Sequence, residues 1–534
     1  MRRDTEAKSL AARSPDSRVV KNPEPPPLAV IVLNRMGYGP RPGDIEAFTA
    51  MGNTDEARLQ AYVEYQLHPE FIDESELDKR LAQAGYTTLW KTRDQLWTDH
   101  VVNAPPEDIW SVRYRPFYET ERATIMRALY SKAQLQEVLA DFWHNHFNIQ
   151  AEDWWAVPLW VHQDRDIIRA NSLGNFRKFL EDVATSFPML LYLDNYINQV
   201  SGPNENYARE LFELHGLGAE NYVGVRRQDE VPIDADRRPM GYVDDDVYEA
   251  TRAFTGWGVD FETGRFAYTA SQHDRFQKYV LGRFLRSDQA PLKDGRDVLD
   301  LIASHPGTAR HIARKLCRRF ISDEPPQRIV DEAASIFLAK KDAQDQLRHV
   351  VRTILLSPEF RTTWGEKIKR PFEMTMGCLR AVNTDYTFDM IEEPAGHLQW
   401  SLNQAAQGLF RWPTPDGYPD RREKWIGSNP MVGVWRIINW IVDIKNWWSR
   451  QYRFFDAIGS LPADVRSPRA IVDFWIRRLL GRSLNAEVRQ EIIDFMARGR
   501  DPEMDLPGFD DDITRERVWG CVSLILSVPE NFLK

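Results

Sequence analysis

Apolar residues that recur with the period of an α-helix are the feature that most limits how this chain can fold. Side chains at positions i, i+3 and i+4 lie on one face of a helix, and this spacing repeats in many segments. The alternation typical of a strand is rare, and only residues 265–269 show it. The sequence therefore predicts an all-α fold: a multi-helix assembly in two packed lobes, with long ordered loops and at most a minor β ribbon. The predicted helices cover residues 44–51, 55–67, 119–135, 134–147, 160–170, 175–183, 244–257, 295–304, 308–321, 328–339 and 432–448.

The chain is long enough for more than one domain. At 534 residues it exceeds the length at which a single hydrophobic core stops growing. Residues 1–27 are polar and then rich in proline, which predicts a disordered tail and a linker. We expect residues 28–365 to form the main helical domain and residues 366–534 to form a C-terminal helical lobe.

Two stretches inside the predicted domains lack helical periodicity. Residues 221–244 are charged and aperiodic, which indicates either a surface insertion or a mobile flap. Residues 411–419 contain three prolines, so this stretch must be a loop.

Charge and composition argue against several classes of function. Lysine and arginine number 69 against 79 aspartate and glutamate residues, a net charge of −10, so no nucleic-acid partner is expected. No run of 18 or more apolar residues predicts a membrane span. Cys317, Cys378 and Cys521 lack metal or disulfide spacing and are predicted to be small buried side chains. Reduced thiols, together with an N-terminal segment that lacks the apolar stretch of an export signal, favour a cytoplasmic protein.

One amphipathic helix carries a high concentration of polar groups. Residues 203–218 read PNENYARELFELHGLG, in which leucines at a three-residue step mark an apolar face. On helical geometry Glu210 and Glu213 share one face, while Glu205 and Arg209 form an i,i+4 pair beside it. His215 lies well round the cylinder from Glu210, so a contact between the two is not predicted. If this protein has a site, we expect it near this helix.

The same segment resembles the signature of a bacterial protein family. Residues 204–211, NENYAREL, are followed by ELH at 213–215 and LG at 217–218. Further blocks follow in chain order: FWHNHF at 142–147, RAFTGW at 252–257, HD at 273–274, HP at 305–306 and SPEF at 357–360. Together these blocks resemble the family known as domain of unknown function 1800, over about residues 33–419. The resemblance implies a mostly helical bacterial protein, often exported in its relatives, and it brings no reaction with it.

A metal centre is one interpretation of the polar side chains. Helical bundles build such centres from imidazole and carboxylate groups on different helices. The function would then be that of a metal-dependent hydrolase or oxidoreductase, with a divalent or transition metal as cofactor. Its site would lie between the helices around His146 and Glu210, and its catalytic residues would be Glu210, His146 and Arg209. The predicted metal ligands are Asp141, His144, His146, Glu210, Glu213 and His273.

Two further interpretations of the same residues remain open. Glu205, Arg209, Glu210, Glu213 and Arg252 would form a buried ion-pair network that clamps two helices, with no catalytic role. Alternatively, His146 or a carboxylate with a raised pKa would act as a base without a metal.

Tryptophan offers an alternative function without catalysis. The chain contains 18 tryptophans, and indole rings stack on sugars and anchor protein interfaces. The protein would then be a noncatalytic scaffold, or a module that binds a glycan or a protein. The two local clusters are Trp154, Trp155 and Trp160, and Trp435, Trp440, Trp447 and Trp448.

Overall fold

The protein is built almost entirely of α-helices. The computed structural model describes residues 24–390, 393–442, 454–509 and 512–534, and 24 α-helices lie in these ranges. The mostly α fold predicted from the periodicity is confirmed. In chain order the helices are α1 (Leu28–Arg35), α2 (Asp44–Ala50), α3 (Asp55–Gln66), α4 (Ser75–Gln83), α5 (Arg93–Trp97), α6 (Ile109–Tyr130), α7 (Gln134–His146), α8 (Trp160–His162), α9 (Phe176–Ala184), α10 (Phe187–Tyr192), α11 (Asn206–Glu210), α12 (Asp244–Ala253), α13 (Lys293–Ala303), α14 (Pro306–Phe320), α15 (Gln327–Ala339), α16 (Gln346–Leu355), α17 (Pro358–Thr362), α18 (Pro371–Ala381), α19 (Glu393–Gln404), α20 (Ser428–Val442), α21 (Pro468–Leu480), α22 (Ala486–Ala497), α23 (Asp512–Leu526) and α24 (Pro529–Phe532).

Two small antiparallel hairpins interrupt the helices between α12 and α13. The strands are β1 (Trp257–Asp260), β2 (Arg265–Tyr268), β3 (Lys278–Val280) and β4 (Arg283–Leu285), and they pair as β1 with β2 and β3 with β4. The predicted ribbon at 265–269 corresponds to β2. The second hairpin was not predicted, because strands of three residues are too short to show alternation. The predicted helix 244–257 ends at Ala253, since Trp257 already begins β1.

Three segments have the wider turn of a π-helix. They are Thr98–Val102, Gln163–Arg169 and Leu211–His215. The predicted helix 160–170 is therefore a short α-helix that continues as a π-helix. The π turn at Leu211–His215 follows α11 directly, inside the polar segment singled out from the sequence. π turns are rare and often occur at functional sites.

Helix α18 lies at the centre of the packing. Every residue from Pro371 to Ala381 is buried, as expected for a helix that is surrounded on all sides. It packs against α6, α20 and α21. Buried apolar residues between Ala29 and Phe532 form one connected core. The domain boundary at residue 365 stays a prediction.

A network of buried charges ties the last residue of the described chain to this core. Glu373 on α18 accepts hydrogen bonds from both Arg319 and Lys534, and Arg370 donates to Asp141 on α7. All five side chains are at most 15% exposed. The network therefore connects α7, α14, α18 and the C-terminal residues through ion pairs that are shielded from water.

Some predictions concern residues outside the described ranges. Residues 1–23, most of the predicted tail, lie outside them, as do Trp447 and Trp448 at the end of the predicted helix 432–448. Within the described residues, no helix is long and apolar enough to cross a bilayer. Cys317, Cys378 and Cys521 are buried free thiols, as predicted.

Candidate functional site

Three histidines and one lysine from distant parts of the sequence lie close together. His146 ends α7, His215 ends the π turn, and His311 and Lys315 lie one turn apart on α14. The ring centroid of His146 is 6.1 Å from that of His215 and 6.2 Å from that of His311. We call His146, His215, His311 and Lys315 the histidine–lysine cluster.

Two imidazoles of the cluster are buried with ring nitrogens that lack a hydrogen-bond partner. His146 and His215 are each 1% exposed. Nε2 of His146 lies 3.2 Å from the carbonyl oxygen of His215, while Nδ1 of His146 and both ring nitrogens of His215 have no partner within the described residues. Burial, and next the positive charge of Lys315, lower the pKa of His215 to about 3 and the pKa of His146 well below its usual range. Both rings are therefore neutral at physiological pH.

His311 differs from His146 and His215 because both of its ring nitrogens have polar contacts. Its Nδ1 lies 3.1 Å from a carboxylate oxygen of Glu220, and its Nε2 lies 3.2 Å from the carbonyl oxygen of Leu214. Both neighbouring oxygens are hydrogen-bond acceptors. Burial would raise the pKa of Glu220, but its bond to His311 and the charge of that ring lower it to about 2. The contact of His311 with Leu214 holds the π turn against α14.

Lys315 lacks a polar partner although it is surrounded by charged groups. No hydrogen bond or ion pair to its Nζ is found in the described part of the chain, and the side chain stays partly exposed. Burial lowers the pKa of Lys315, and the carboxylate of Asp420 opposes this effect most strongly. Among the described residues, the amine of Lys315 is thus unpaired beside two neutral imidazoles, on a side chain that is partly exposed.

A pair of carboxylates lies near the cluster. Glu210 and Glu213 are both partly exposed, and neither forms an ion pair among the described residues. Partial burial, and next the like charge of Glu213, raise the pKa of Glu210 to about 7. Asp416 lies close enough to influence the pKa of both Glu210 and Lys315. Asp416 therefore lies between Glu210 and Lys315 in its electrostatic influence.

The loop at residues 411–420 closes this region and is fixed to the end of α7. The side-chain amide of Asn145 donates to the carbonyl of Tyr418 at 2.8 Å and accepts from its backbone N–H at 2.6 Å. Asn148 donates to two further carbonyls of the loop, at 3.1 and 2.8 Å. Gly417 adopts a φ of +72°, and a Cβ there would lie 2.2 Å from the carbonyl oxygen of Asn145. The loop predicted from its prolines thus positions Asp416 and Asp420.

The predicted metal ligands have separate partners. Asp141 contacts Arg370 on α18, and His144 contacts Asp164 at 2.9 Å. The remaining candidate, His273, lies beside Thr255 and Asp294 near the hairpins. No group of three or more His, Cys, Asp or Glu side chains that could hold a metal ion is found among the described residues. Of the six candidates, His146 belongs to the histidine–lysine cluster, and Glu210 and Glu213 lie on the helical segment that ends at His215.

The predicted ion-pair clamp forms only in part. Arg209 pairs with Glu205 at 3.1 Å and with Asp244 at 3.4 Å, and all three side chains are at least one third exposed. The other predicted member with a positive charge, Arg252, pairs instead with Glu249 and Asp274. Exposed pairs such as those of Arg209 contribute little to stability.

The tryptophans of the first predicted cluster are mostly inside the protein. Trp160 is buried, and Trp154 and Trp155 are partly buried. The guanidinium carbon of Arg113 lies 4.4 Å from the ring centroid of Trp154 and 4.8 Å from that of Trp155. The neighbouring Trp110 is 65% exposed and packs edge-on against Trp154 at 4.7 Å.

Four residues of this region were not predicted from the sequence. His311 and Lys315 occur at i and i+4 on α14, which places them on one face of that helix, and this spacing was the only available signal. Asp416 and Glu220 lie in irregular segments, where no periodicity indicates which way a side chain points.

The fold and this arrangement define a class of protein: a multi-helix molecule with a polar centre formed where α7, α14 and a π turn meet. A family model described as "Protein of unknown function (DUF1800)" matches residues 31–533. The chain therefore belongs to this family, as the sequence blocks indicated. No curated protein and no solved structure matches the chain.

Proposed function

We propose that the histidine–lysine cluster is the active site of an enzyme that carries out acid–base chemistry on a small carbonyl compound. The observation that carries this proposal is the unpaired amine of Lys315 beside the unpartnered ring nitrogens of His146 and His215. A buried polar atom without a partner costs about 1–3 kcal/mol, so several such atoms together favour a bound polar molecule. Groups with shifted pKa values also concentrate at active sites.

Each group has a role that its environment supports. Because burial lowers the pKa of Lys315, the neutral amine is easier to reach than in a solvated lysine, and a neutral amine adds to a carbonyl carbon. Loss of water then gives an imine. Glu210, with a pKa of about 7, is suited to accept a proton from the substrate near neutral pH. The neutral imidazoles of His146 and His215 supply further donors and acceptors.

This proposal keeps the predicted residues His146 and Glu210 but not the metal-dependent chemistry predicted with them. The side chains around the cluster offer an amine and imidazoles, and the described residues contain no set of three metal ligands. Arg209 pairs at the surface with Glu205, so it has no role in the proposed reaction.

Selective modification of Lys315 tests the proposal. The protein is incubated with pyridoxal at pH 7, reduced with borohydride and digested, and the modified lysines are identified by mass spectrometry. We expect Lys315 to be labelled at least about tenfold faster than the exposed Lys340, because the lowered pKa leaves more neutral amine. The matched variants Lys315→Met and Lys340→Met each remove one charge, and only the first should abolish the fast phase. Equal labelling of both lysines would count against a reactive amine.

Catalysis itself is tested by exchange of substrate protons with deuterium. Small aldehydes and keto acids are incubated with the protein in D2O, and loss of the α-proton signal is followed by NMR. We expect exchange in the wild type, and about 100-fold less in Lys315→Met and in Glu210→Gln, since proton transfer by a positioned group contributes about 100-fold or more. Exchange that survives both substitutions would reject the proposed site.

The noncatalytic alternative and the cytoplasmic location stay predictions. One observation favours a binding surface: the exposed ring of Trp110 lies against Trp154, as in surfaces that stack on sugars. The three free buried thiols support the cytoplasm.

A further inference from the structure

A cavity lies away from the histidine–lysine cluster, between the N-terminal helices and α6. Its volume is about 530 Å3, within the range of cavities that bind small molecules. None of its lining residues belongs to the cluster. The cavity is lined by Leu33, Arg41, Asp44, Ala47, Phe48, Met51, Tyr62, Tyr65, Gln66, Glu76, Arg80, Tyr130, Ser131, Lys132, Gln134 and Arg380.

The wall of this cavity is largely aromatic and apolar. Phe48 and Tyr62 pack edge-on, with ring centroids 5.5 Å apart, and both are buried. Leu33 and Met51 extend the apolar wall, and Tyr130 adds a third ring. Such a wall stabilises a flat apolar body that displaces water.

One buried polar group lines the cavity without a partner of its own. Tyr62 is 9% exposed, and no hydrogen bond to its hydroxyl is found in the described ranges. Burial raises the pKa of Tyr62 well above its usual range, so the hydroxyl keeps its proton and is available as a donor. A ligand that accepts this hydrogen bond would satisfy the group.

Charge on the cavity wall is mainly positive. Four of the lining side chains are cationic, namely Arg41, Arg80, Lys132 and Arg380, and only Asp44 and Glu76 are anionic. Arg380 pairs with Asp44 at 3.0 Å, and Arg80 pairs with Glu76 at 3.1 Å.

Lys132 pairs with Asp73 at 3.6 Å, so among the described residues Arg41 is the lining cation without an ion pair. Its side chain donates to the carbonyls of Leu129 and Thr384 and to the amide oxygen of Asn383, and it forms no ion pair within the described residues. Its guanidinium carbon lies 5.1 Å from the ring centroid of Tyr130. Among the described residues, the guanidinium of Arg41 therefore has no carboxylate within ion-pair distance.

We propose that this cavity binds a small organic acid with a flat apolar body, whose acidic group is held by Arg41 and by the hydroxyl of Tyr62. The apolar rings enclose the body of the ligand, and the unpaired cation and the unpartnered donor select the acid over a neutral molecule of the same shape. This site is independent of the proposed function, because no residue is shared.

The proposal is tested by calorimetric titration of the full-length protein with 2-naphthoate. We expect one saturable site per chain. The uncharged 2-naphthalenemethanol, which has the same rings, should bind at least about tenfold more weakly, the effect of losing one charged hydrogen-bonding partner. No saturable binding of 2-naphthoate, or equal binding of the alcohol, would overturn the proposal.

Two variants locate the binding. Met51→Trp fills part of the cavity and should weaken binding at least about tenfold, whereas Met504→Trp adds the same ring at an exposed position elsewhere and should leave binding unchanged. Tyr62→Phe removes only the hydroxyl and should weaken binding about threefold to tenfold. If Met51→Trp binds 2-naphthoate as tightly as Met504→Trp does, the ligand lies elsewhere and the cavity is not its site.

Discussion

At the scale of single residues, the environment of each polar side chain decides its chemistry. His144 and His146 are two residues apart on α7, yet one contacts a carboxylate and the other is buried with an unpartnered nitrogen. Asp141, which shares a helix face with His144, pairs with Arg370, and the residue numbers of the two differ by 229. Local spacing fixes only where these side chains lie on the helix. It could not predict these partners, because each comes from a distant part of the chain.

Glu210 provides a test of the carboxylate pair. The pKa of Glu210 in the folded protein is about 7, above the ordinary value of 4.5. The contribution of Glu210 to stability is therefore fully present below pH 4.5 and is lost as the pH rises through 7, because the folded protein disfavours the ionised carboxylate. Glu210→Gln removes this cost. We expect its Tm at pH 8 to be unchanged or about 1–2 °C higher than that of the wild type, with no difference at pH 4, by scanning fluorimetry.

Glu205→Gln is the matched control for this measurement. It removes the same charge one turn earlier but breaks an exposed ion pair with Arg209, so Tm should stay the same or fall slightly at pH 8. A fall of several degrees in Glu210→Gln would show that Glu210 stabilises the fold, as the ion-pair clamp requires.

At the scale of secondary-structure elements, the helices follow the sequence closely and the irregular segments do not. His305 precedes α14 and its Nδ1 accepts from the backbone of Gly307 at 2.9 Å, the capping contact expected for this position. The π turn at Leu211–His215 is different. The wider turn ends at His215, whose ring packs against His146 and Phe147, and α-helical periodicity did not predict the change of helix type.

Gly417 tests how the loop at residues 411–420 is held. Gly417→Ala places a Cβ against the carbonyl of Asn145, so we expect the unfolding free energy to fall by at least about 2 kcal/mol. Hydrogen exchange at the backbone N–H of Tyr418, which donates to Asn145, should become faster.

The control substitution is Gly85→Ala. Gly85 has a φ of +69°, close to the +72° of Gly417, but a Cβ there would meet no atom within 4 Å. This variant should show only the cost of the backbone conformation, about 1 kcal/mol, and unchanged exchange at Tyr418. Equal losses in the two variants would mean that close packing on Asn145 is not what restricts position 417.

At the scale of the whole molecule, buried charges join segments that the sequence suggested were separate. Glu373 lies in the predicted C-terminal lobe, and its partner Arg319 lies in the predicted main domain. Glu373 and Arg319 are both buried, and Lys534 forms a further ion pair with Glu373. Removing one member of such a group leaves the others charged and unpaired in a medium that solvates them poorly.

Glu373→Gln measures the strength of this connection. We expect the unfolding free energy at pH 7 to fall by about 3–5 kcal/mol in urea titrations, because Arg319 and Lys534 lose their shared partner. Glu332→Gln, which breaks an exposed pair with Arg328, should cost less than about 1 kcal/mol. A similar small change in both would show that the buried charges contribute little.

The effect of pH on the free energy of unfolding follows from the ionisation of Glu373. Burial would raise the pKa of Glu373, but Arg319 and then Lys534 hold it well below the ordinary value of 4.5. Its contribution is therefore present above pH 4.5 and lost as the pH falls below it. The difference between wild type and Glu373→Gln should accordingly shrink in acid.

The amino-acid sequence was enough to establish the helical class, the positions of about half of the described helices, the buried thiols and membership of the family. These follow from local periodicity and from blocks of residues read in order, which need no knowledge of the folded chain. The folded chain was needed to show that His311 and Lys315 lie near His146, that Asp416 acts on Lys315, and that Asp141 and His273 have other partners. The reason is that a polar side chain on a helix face has many possible partners, and packing between distant segments selects one.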